Sequence, residues 1–191
     1  MENNRKEKVI GFIKRYGYYA LALVLVLGIT LGIVLSTEPQ KPNENEVPTD
    51  TQPVVFSLPV NSPNVLKWYS DTELMYNETL KQWESHMAVD MTSDNLDVYS
   101  VLDGVVTDVT TSYENGTTIT VTHENGYVSK YSSLDEETDV TISDEVKKGQ
   151  KIGQMSQSSA NELLSGNHLH FELYKDGQKV DPSNYLTLSE K

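Results

Sequence analysis

The sequence predicts a mostly β domain carried behind a single N-terminal membrane-spanning helix. Three observations predict it: an uncharged run of 19 residues from Gly17 to Leu35, a proline-rich stretch after it, and then short alternating segments separated by turn residues. Many short strands between Gly, Asn and Asp turns suggest a β-sandwich or an open barrel. At 191 residues the chain has room for one ordinary domain with an anchor.

The parts follow in order. Residues 1–16 are a basic tail, with Arg5, Lys6, Lys8, Lys14 and Arg15 against Glu2 and Glu7, a net +3. Residues 17–36 contain GYYALALVLVLGITLGIVL, close to the roughly 20 helical residues that cross a bilayer core of about 30 Å. Tyr16, Tyr18 and Tyr19 lie where an interfacial aromatic belt belongs. The basic cluster before the span keeps the N-terminus in the cytoplasm and puts the rest of the chain outside. A cleaved signal peptide with a site at Val34-Leu35-Ser36 is the rival reading. An apolar region longer than the usual 7–15 or so residues favours a retained anchor.

Residues 37–54 hold four of the seven prolines and no aromatic residue, so they read as a spacer. Residues 55–191 remain as the domain, long enough for a real core. Within it, Val98 to Leu102 and Val105 to Val109 read as two short strands turning at Asp103-Gly104. Asn115-Gly116 is a hairpin signal before Thr117 to Thr122, and Asn125-Gly126 marks the turn before Tyr127 to Leu134. A short strand sits between Gly149 and Gly153. Leu169 to Tyr174 alternates with period two, and Asp176-Gly177 turns it back to Val180. One helix is expected around Asp71–Trp83, where Leu74, Leu80 and Trp83 fall at helical spacing.

Composition removes several function classes. The net charge of −13 argues against a nucleic-acid partner, which needs a basic stripe. The charge beyond residue 16 is −16; most of it reads as a solvated face, and it also suits a basic partner surface. The absence of Cys excludes disulfides, thiolate metal sites and a Cys nucleophile, so a metal site must use His, Asp and Glu.

Three of the four histidines fall at informative spacings. His86 and Asp90 are i and i+4, on one face of a strand. His168 and His170 are i and i+2, again on one face. If the two strands are neighbours, four polar groups converge. Two imidazoles and a carboxylate are a common catalytic zinc set that leaves a position open for water, whose pKa zinc lowers towards about 7. A nearby uncoordinated imidazole can handle the proton. His123 has no polar partner at a telling spacing and reads as structural.

His86-x-x-x-Asp90 followed by His168-Leu169-His170-Phe171-Glu172 resembles the LytM-like M23 family of zinc peptidases, which cut peptide cross-links in peptidoglycan. Asp103-Gly104-Val105-Val106, Val121 to Gly126, Val146 to Gly153, and Val180-Asp181-Pro182 follow in that family's order. The resemblance implies a LytM/M23-type β fold, zinc held by His86, Asp90 and His170, and His168 as a catalytic histidine. The family's second catalytic histidine stands in a Tyr-x-His-Leu segment; here the segment is Tyr131-Ser132-Ser133-Leu134, with Ser133 at the histidine position. A serine hydroxyl cannot become a cation near neutral pH. Losing one oxyanion-stabilising donor can cost about 10²–10³ in rate. Ala88 also replaces a glycine common in the family.

One branch of the family, the stage II sporulation protein Q branch of endospore formers, has the same order of basic tail, span, spacer and LytM-like domain. Leu74 to Trp83 is similar to that branch. This resemblance implies a forespore-membrane protein whose domain faces the intermembrane space. There it would bind the mother-cell membrane protein stage III sporulation protein AH in a channel or engulfment complex. The alternative is an anchored zinc endopeptidase acting on peptidoglycan peptides. An amidase activator would have an emptied metal site, and the retained ligands oppose that. A lipoyl-type carrier would need a modifiable lysine at a hairpin tip flanked by small or acidic residues, and none is evident.

Overall fold

The computed structural model describes residues 15–16 and 54–189. The expected membrane span at 17–36, the spacer up to residue 53 and the basic tail before Arg15 lie outside the described residues. The chain divides into two compact units, the second beginning at Pro53.

That second unit is built from strands β1 (Asn64–Lys67), β2 (Ser70–Asn77), β3 (Gln82–His86), β4 (Val89–Thr92), β5 (Asp97–Tyr99), β6 (Gly104–Ser112), β7 (Gly116–His123), β8 (Tyr127–Leu134), β9 (Glu145–Val146), β10 (Lys151–Gln154), β11 (Leu169–Lys175) and β12 (Gln178–Val180). The large sheet runs β1-β4-β11-β8-β7-β6-β9, with β12 also paired to β11. Two ribbons, β10-β5 and β2-β3, lie outside it. The described strand pairs are antiparallel. The mostly β expectation therefore holds.

Alternation explains the two faces of the sheet. In β11, Leu169, Phe171 and Leu173 are buried in the core, while His170, Glu172 and Tyr174 occupy the other face. In β7, Ile119 and Val121 enter the core and Thr118, Thr120 and Thr122 do not. Val98 of β5 and Ile152 of β10 belong to the same buried cluster, so the β5–β10 ribbon forms a second layer over the apolar face. The buried Val101 N–H donates to Tyr131 OH at 3.0 Å, tying the two layers together.

Two expectations are corrected. Residues 71–83 form no helix; they make the β2–β3 hairpin. The helical spacing of Leu74, Leu80 and Trp83 has no core to face, because these residues are 61%, 41% and 66% exposed. The hairpin is held by a Tyr76–Trp83 cross-strand pair, with ring centroids 5.5 Å apart. The Asn77 side chain accepts from Thr79 N at 2.9 Å and Leu80 N at 3.0 Å, an Asx turn that reverses the chain. Secondly, β5 and β6 do not pair across Asp103-Gly104. β5 pairs with β10, and β6 pairs with β7 and β9. Residues 100–103 instead carry the chain from one layer to the other. Glycine is required at 104 because a Cβ there would lie 2.5 Å from Thr122 O and 2.6 Å from His123 Nδ1.

The other turns match the sequence reading. Asp176-Gly177 joins Lys175 to its partner Gln178. Gly116, at φ +66°, closes the β6–β7 hairpin, and a Cβ on it would meet Ser158 Oγ at 2.0 Å. The hairpin thus backs onto the segment that delivers Glu162, described below. Gly116→Ala should destabilise the domain by at least the roughly 1–2 kcal/mol of a left-handed non-glycine residue. Urea unfolding at constant m-value checks this.

Candidate metal centre

The polar face of the sheet supplies the floor of the site. Asp90 of β4 and His170 of β11 are directly paired in register, as are His170 and Ser132 of β8. Neighbouring strands therefore present these side chains on one face. His86 ends β3, and two linking residues bring its ring to within 3.1 Å of Asp90 Oδ2. The β4–β11 register brings Asp90 to His170 as the spacings suggest, but His86 and Asp90 lie on two strands and not one, and His168 stands just before β11. Ala88, in that link, is fully buried and does not adopt a positive φ, so its methyl group is accommodated without left-handed backbone.

Each ring is oriented from behind. His86 Nδ1 donates to Trp68 O at 2.9 Å, which leaves Nε2 bearing a lone pair. His170 Nδ1 lies 2.8 Å from Asp90 Oδ1, and its Nε2 lies 3.6 Å from Glu172 Oε1. Glu172 is in turn held by Lys179 Nζ at 2.7 Å and Tyr174 OH at 2.6 Å. A carboxylate behind an imidazole is the usual outer support of a metal-binding histidine. Burial works against the Glu172 charge, but contacts with His170, Lys179 and Tyr174 bring its pKa down to about 2.

Two residues at the site were not foreseen. Glu162, on the short 3-10 segment Ala160–Ser165, is 8% exposed. Its Oε2 lies 3.2 Å from His170 Nδ1 and 3.3 Å from His168 Nε2, and its Oε1 lies 3.8 Å from His86 Nε2. Lys67 Nζ lies 3.5 Å from Glu162 Oε1 and 3.7 Å from Asp90 Oδ2. One signal in the sequence could have found Glu162: it is the only Asp, Glu, Lys or Arg between Lys151 and Glu172. Nothing in the sequence marks Lys67.

His168 is fully buried, and its Nδ1 donates to Gly166 O at 2.8 Å. Its contact with Glu162 through Nε2 therefore needs a second ring proton. Burial opposes that charge, yet the Glu162 and Gly166 contacts raise the His168 pKa. The His170 pKa is likewise raised well above its ordinary value against burial, by Asp90 and Glu162. Conversely, burial alone would raise the carboxylates, but the imidazoles hold Asp90 and Glu162 below the usual range.

Ser133 does not line the cleft over these residues. It is fully buried at φ +63°, and its Oγ donates to Ser156 O at 3.0 Å. Its neighbour Ser132 does line the cleft, and its hydroxyl accepts from Thr118 Oγ1 at 2.9 Å. The cleft has a volume of about 260 Å³, and His86, His170, Glu162, Ser132, Asn115 and Lys179 are among its lining residues. His123 is remote from it. Burial lowers its pKa, and its ring is held between Asp103 O at 2.9 Å and Ser129 Oγ at 2.7 Å.

The donor set fits a zinc ion. Nitrogen and carboxylate ligand atoms from His86, Asp90, Glu162 and His170 all lie within 4.8 Å of one another. Among the described residues, His86 Nε2 and Asp90 Oδ2 are the buried side-chain atoms with no hydrogen-bond partner. Such orphaned groups are costly unless something else satisfies them, and these two lie 3.1 Å apart. Zinc held there would supply Lewis-acid polarisation of a carbonyl.

After chelation the same groups set a pH dependence. The raised His168 and His170 values contribute stability that is complete below the ordinary histidine value near 6.5 and is lost as pH rises through the folded values. The lowered Asp90 and Glu162 values contribute stability that is complete above the ordinary carboxylate values near 4 and is lost as pH falls. Thermal unfolding of the chelator-treated chain should give its highest Tm between about pH 4.5 and 6.5. The decline above that window should be shallower in His170→Gln.

The site is thus a His-x-x-x-Asp pair set against a His-x-His segment on a β domain, a group that could hold a metal ion. The chain belongs to peptidase family M23, whose model matches residues 84–182. It is similar to stage II sporulation protein Q of Bacillus subtilis (strain 168), at 32% identity over 111 residues, 58% of this chain and 38% of that protein. The chain thus spans well under half of that relative. In structure it is similar to a solved SpoIIQ–SpoIIIAH pore-forming complex, with TM-score 0.60 and 27% identity over 69% of this chain and 90% of that one. It is also similar to a zinc-containing peptidase from Vibrio cholerae, with TM-score 0.56 and 26% identity over 67% of this chain and 39% of that one.

Proposed function

We propose that this protein is a membrane-anchored, zinc-holding M23 domain that works by binding a partner. In this reading residues 17–36 anchor it in the forespore membrane, 37–54 are the spacer, and 55–191 stand in the intermembrane space. The partner is a SpoIIIAH-like mother-cell membrane protein, met in a channel or engulfment complex. Zinc is held by His86, Asp90 and His170. The observation that carries the reading is the likeness to a SpoIIQ chain solved in complex with SpoIIIAH, over nearly all of that chain.

The site supports the same reading. His168 is the one imidazole near the cleft left over from metal binding, and Glu162 engages it. The position of the family's second histidine carries Ser133, whose hydroxyl is committed to Ser156. The test is a binding titration of the full chain in detergent against a SpoIIIAH-like ectodomain. Saturable binding is expected, and its absence would sink the proposal.

The second reading is a zinc endopeptidase on peptidoglycan peptides, favoured by the buried His168 beside the two-histidine, one-carboxylate set. There His168 would move a proton at Nε2 while the cleft bound the peptide. Cross-linked muropeptides incubated with the zinc-loaded chain should stay intact. Cleavage that His168→Ala abolishes would replace the first reading with this one.

A further inference from the structure

We propose that Glu162 is a built-in fourth protein ligand that closes the metal centre and keeps both water and substrate out of it. The proposal rests on the reading of the cleft as a zinc site. It assigns the side chain that makes that site a structural one.

The carboxylate is delivered by an irregular stretch of backbone. Glu162 breaks the regular geometry of its own segment, at φ −132° and ψ 27°, and turns inward. The segment is fastened on several sides. Ser159 Oγ donates to Glu114 O at 2.9 Å, and Asn161 N donates to Glu114 O at 3.2 Å. Asn77 Nδ2 donates to Asn161 O at 3.1 Å, and Leu164 N donates to Thr79 Oγ1 at 3.1 Å. The β6–β7 turn thus holds one side and the β2–β3 hairpin the other. This is a clamped strap rather than a long arm that strayed into a cleft.

The Glu162 carboxylate meets charged or imidazole groups on both of its oxygens. One oxygen is 3.2 Å from His170 Nδ1 and 3.3 Å from His168 Nε2. The other faces His86 Nε2 at 3.8 Å and Lys67 Nζ at 3.5 Å. It shares one small volume with the orphaned His86 Nε2 and Asp90 Oδ2, both buried. Two histidines and one carboxylate leave a zinc coordination position open, whereas four protein ligands close it. Glu162 supplies the fourth. It also engages His168, the group that would otherwise move a proton. One side chain therefore takes up both the free position and the base.

The experiment uses the full chain in detergent, loaded with cobalt(II) as the metal probe and challenged with acetohydroxamate, a chelating anion. The visible spectrum of the wild-type chain should not change on adding acetohydroxamate, and that of Glu162→Ala should shift. Cobalt release to a chelator should be about 100-fold faster in Glu162→Ala, the size of effect lost with a supporting or ligating group. Glu162→Gln keeps the shape of the side chain with a weaker donor, so an intermediate rate is expected, and misfolding of the alanine variant cannot imitate it. A wild-type spectrum that shifts as readily as that of Glu162→Ala would overturn the closure. So would equal release rates in all three proteins, or muropeptide cleavage lost in Glu162→Gln, which would make Glu162 a proton-moving group at an open site. Failure of wild type to bind cobalt at all would remove the zinc reading itself, and with it the closure. Binding of the SpoIIIAH-like ectodomain is read on the same samples, so failure of the partner reading is separately visible.

Discussion

Asp90→Ala should abolish stoichiometric zinc binding and destabilise the metal-free chain by about 3–5 kcal/mol, because it strips one partner from a buried charged cluster. Asp90 is fully buried, with Oδ1 2.8 Å from His170 Nδ1 and the unpartnered Oδ2 3.1 Å from His86 Nε2. Lys67 Nζ is 3.7 Å away and would lose half of its counter-charge. Glu162 does not make good the loss, since its Oε1 is 3.8 Å from His86 Nε2 where Asp90 Oδ2 is at 3.1 Å. Asp90→Asn keeps the shape and one acceptor while removing the charge, so it should unfold less readily but still bind zinc poorly. Metal analysis after gel filtration and urea unfolding of both variants check the pair. A chain that keeps its zinc in Asp90→Ala would show that this carboxylate is not a ligand.

The second large effect is expected one residue from the site, on the opposite face of β11. Phe171→Ala should cost about 3–5 kcal/mol, within reach of the whole stability of an ordinary domain. Phe171 is fully buried and packs against Tyr131 with ring centroids 5.3 Å apart. Tyr131 carries the bond from Val101 N that ties the two layers together. Tilting it would disturb both layers and the β8–β11 pairing that sets Ser132 opposite His170. The loss would appear as a lower midpoint in urea at nearly constant m-value, with zinc binding retained well below the midpoint. Zinc loss in the folded variant would mean that the core and the site are coupled more tightly than their separate faces imply.

These two substitutions also show which features were legible from residues alone. The alternation in Leu169 to Tyr174 is local and strict, so it revealed the strand, its buried face and the placing of His170 together. Asn115-Gly116 and Asp176-Gly177 carry their own turn chemistry and could be read without knowledge of the partner strands. His86, Asp90 and His170 stand out in the sequence as a candidate set, although His86 and Asp90 meet across a two-residue link between β3 and β4 and not along one strand. The hairpin at residues 70–86 was misread because Leu74, Leu80 and Trp83 are exposed, so their spacing reports no core. Its strand character lies in the Tyr76–Trp83 pairing, which is a contact rather than a periodicity. Glu162 was missed for a related reason. A short segment of irregular backbone has no period, and only long-range bonds to Asn77, Thr79 and Glu114 aim its side chain inward. Ser133 stands out in the sequence within Tyr131-Ser132-Ser133-Leu134. Its turn towards Ser156, with Ser132 in the cleft, follows from a positive φ that no pattern of residue types discloses.

Anomalous diffraction at the zinc edge, from crystals of the zinc-loaded chain, locates any zinc on the polar face of the sheet. One strong peak is expected within about 2.0–2.2 Å of His86 Nε2, an Asp90 oxygen and His170 Nδ1. A well-ordered cleft with no peak there, or a peak bound only by other residues, would contradict zinc binding by these three residues.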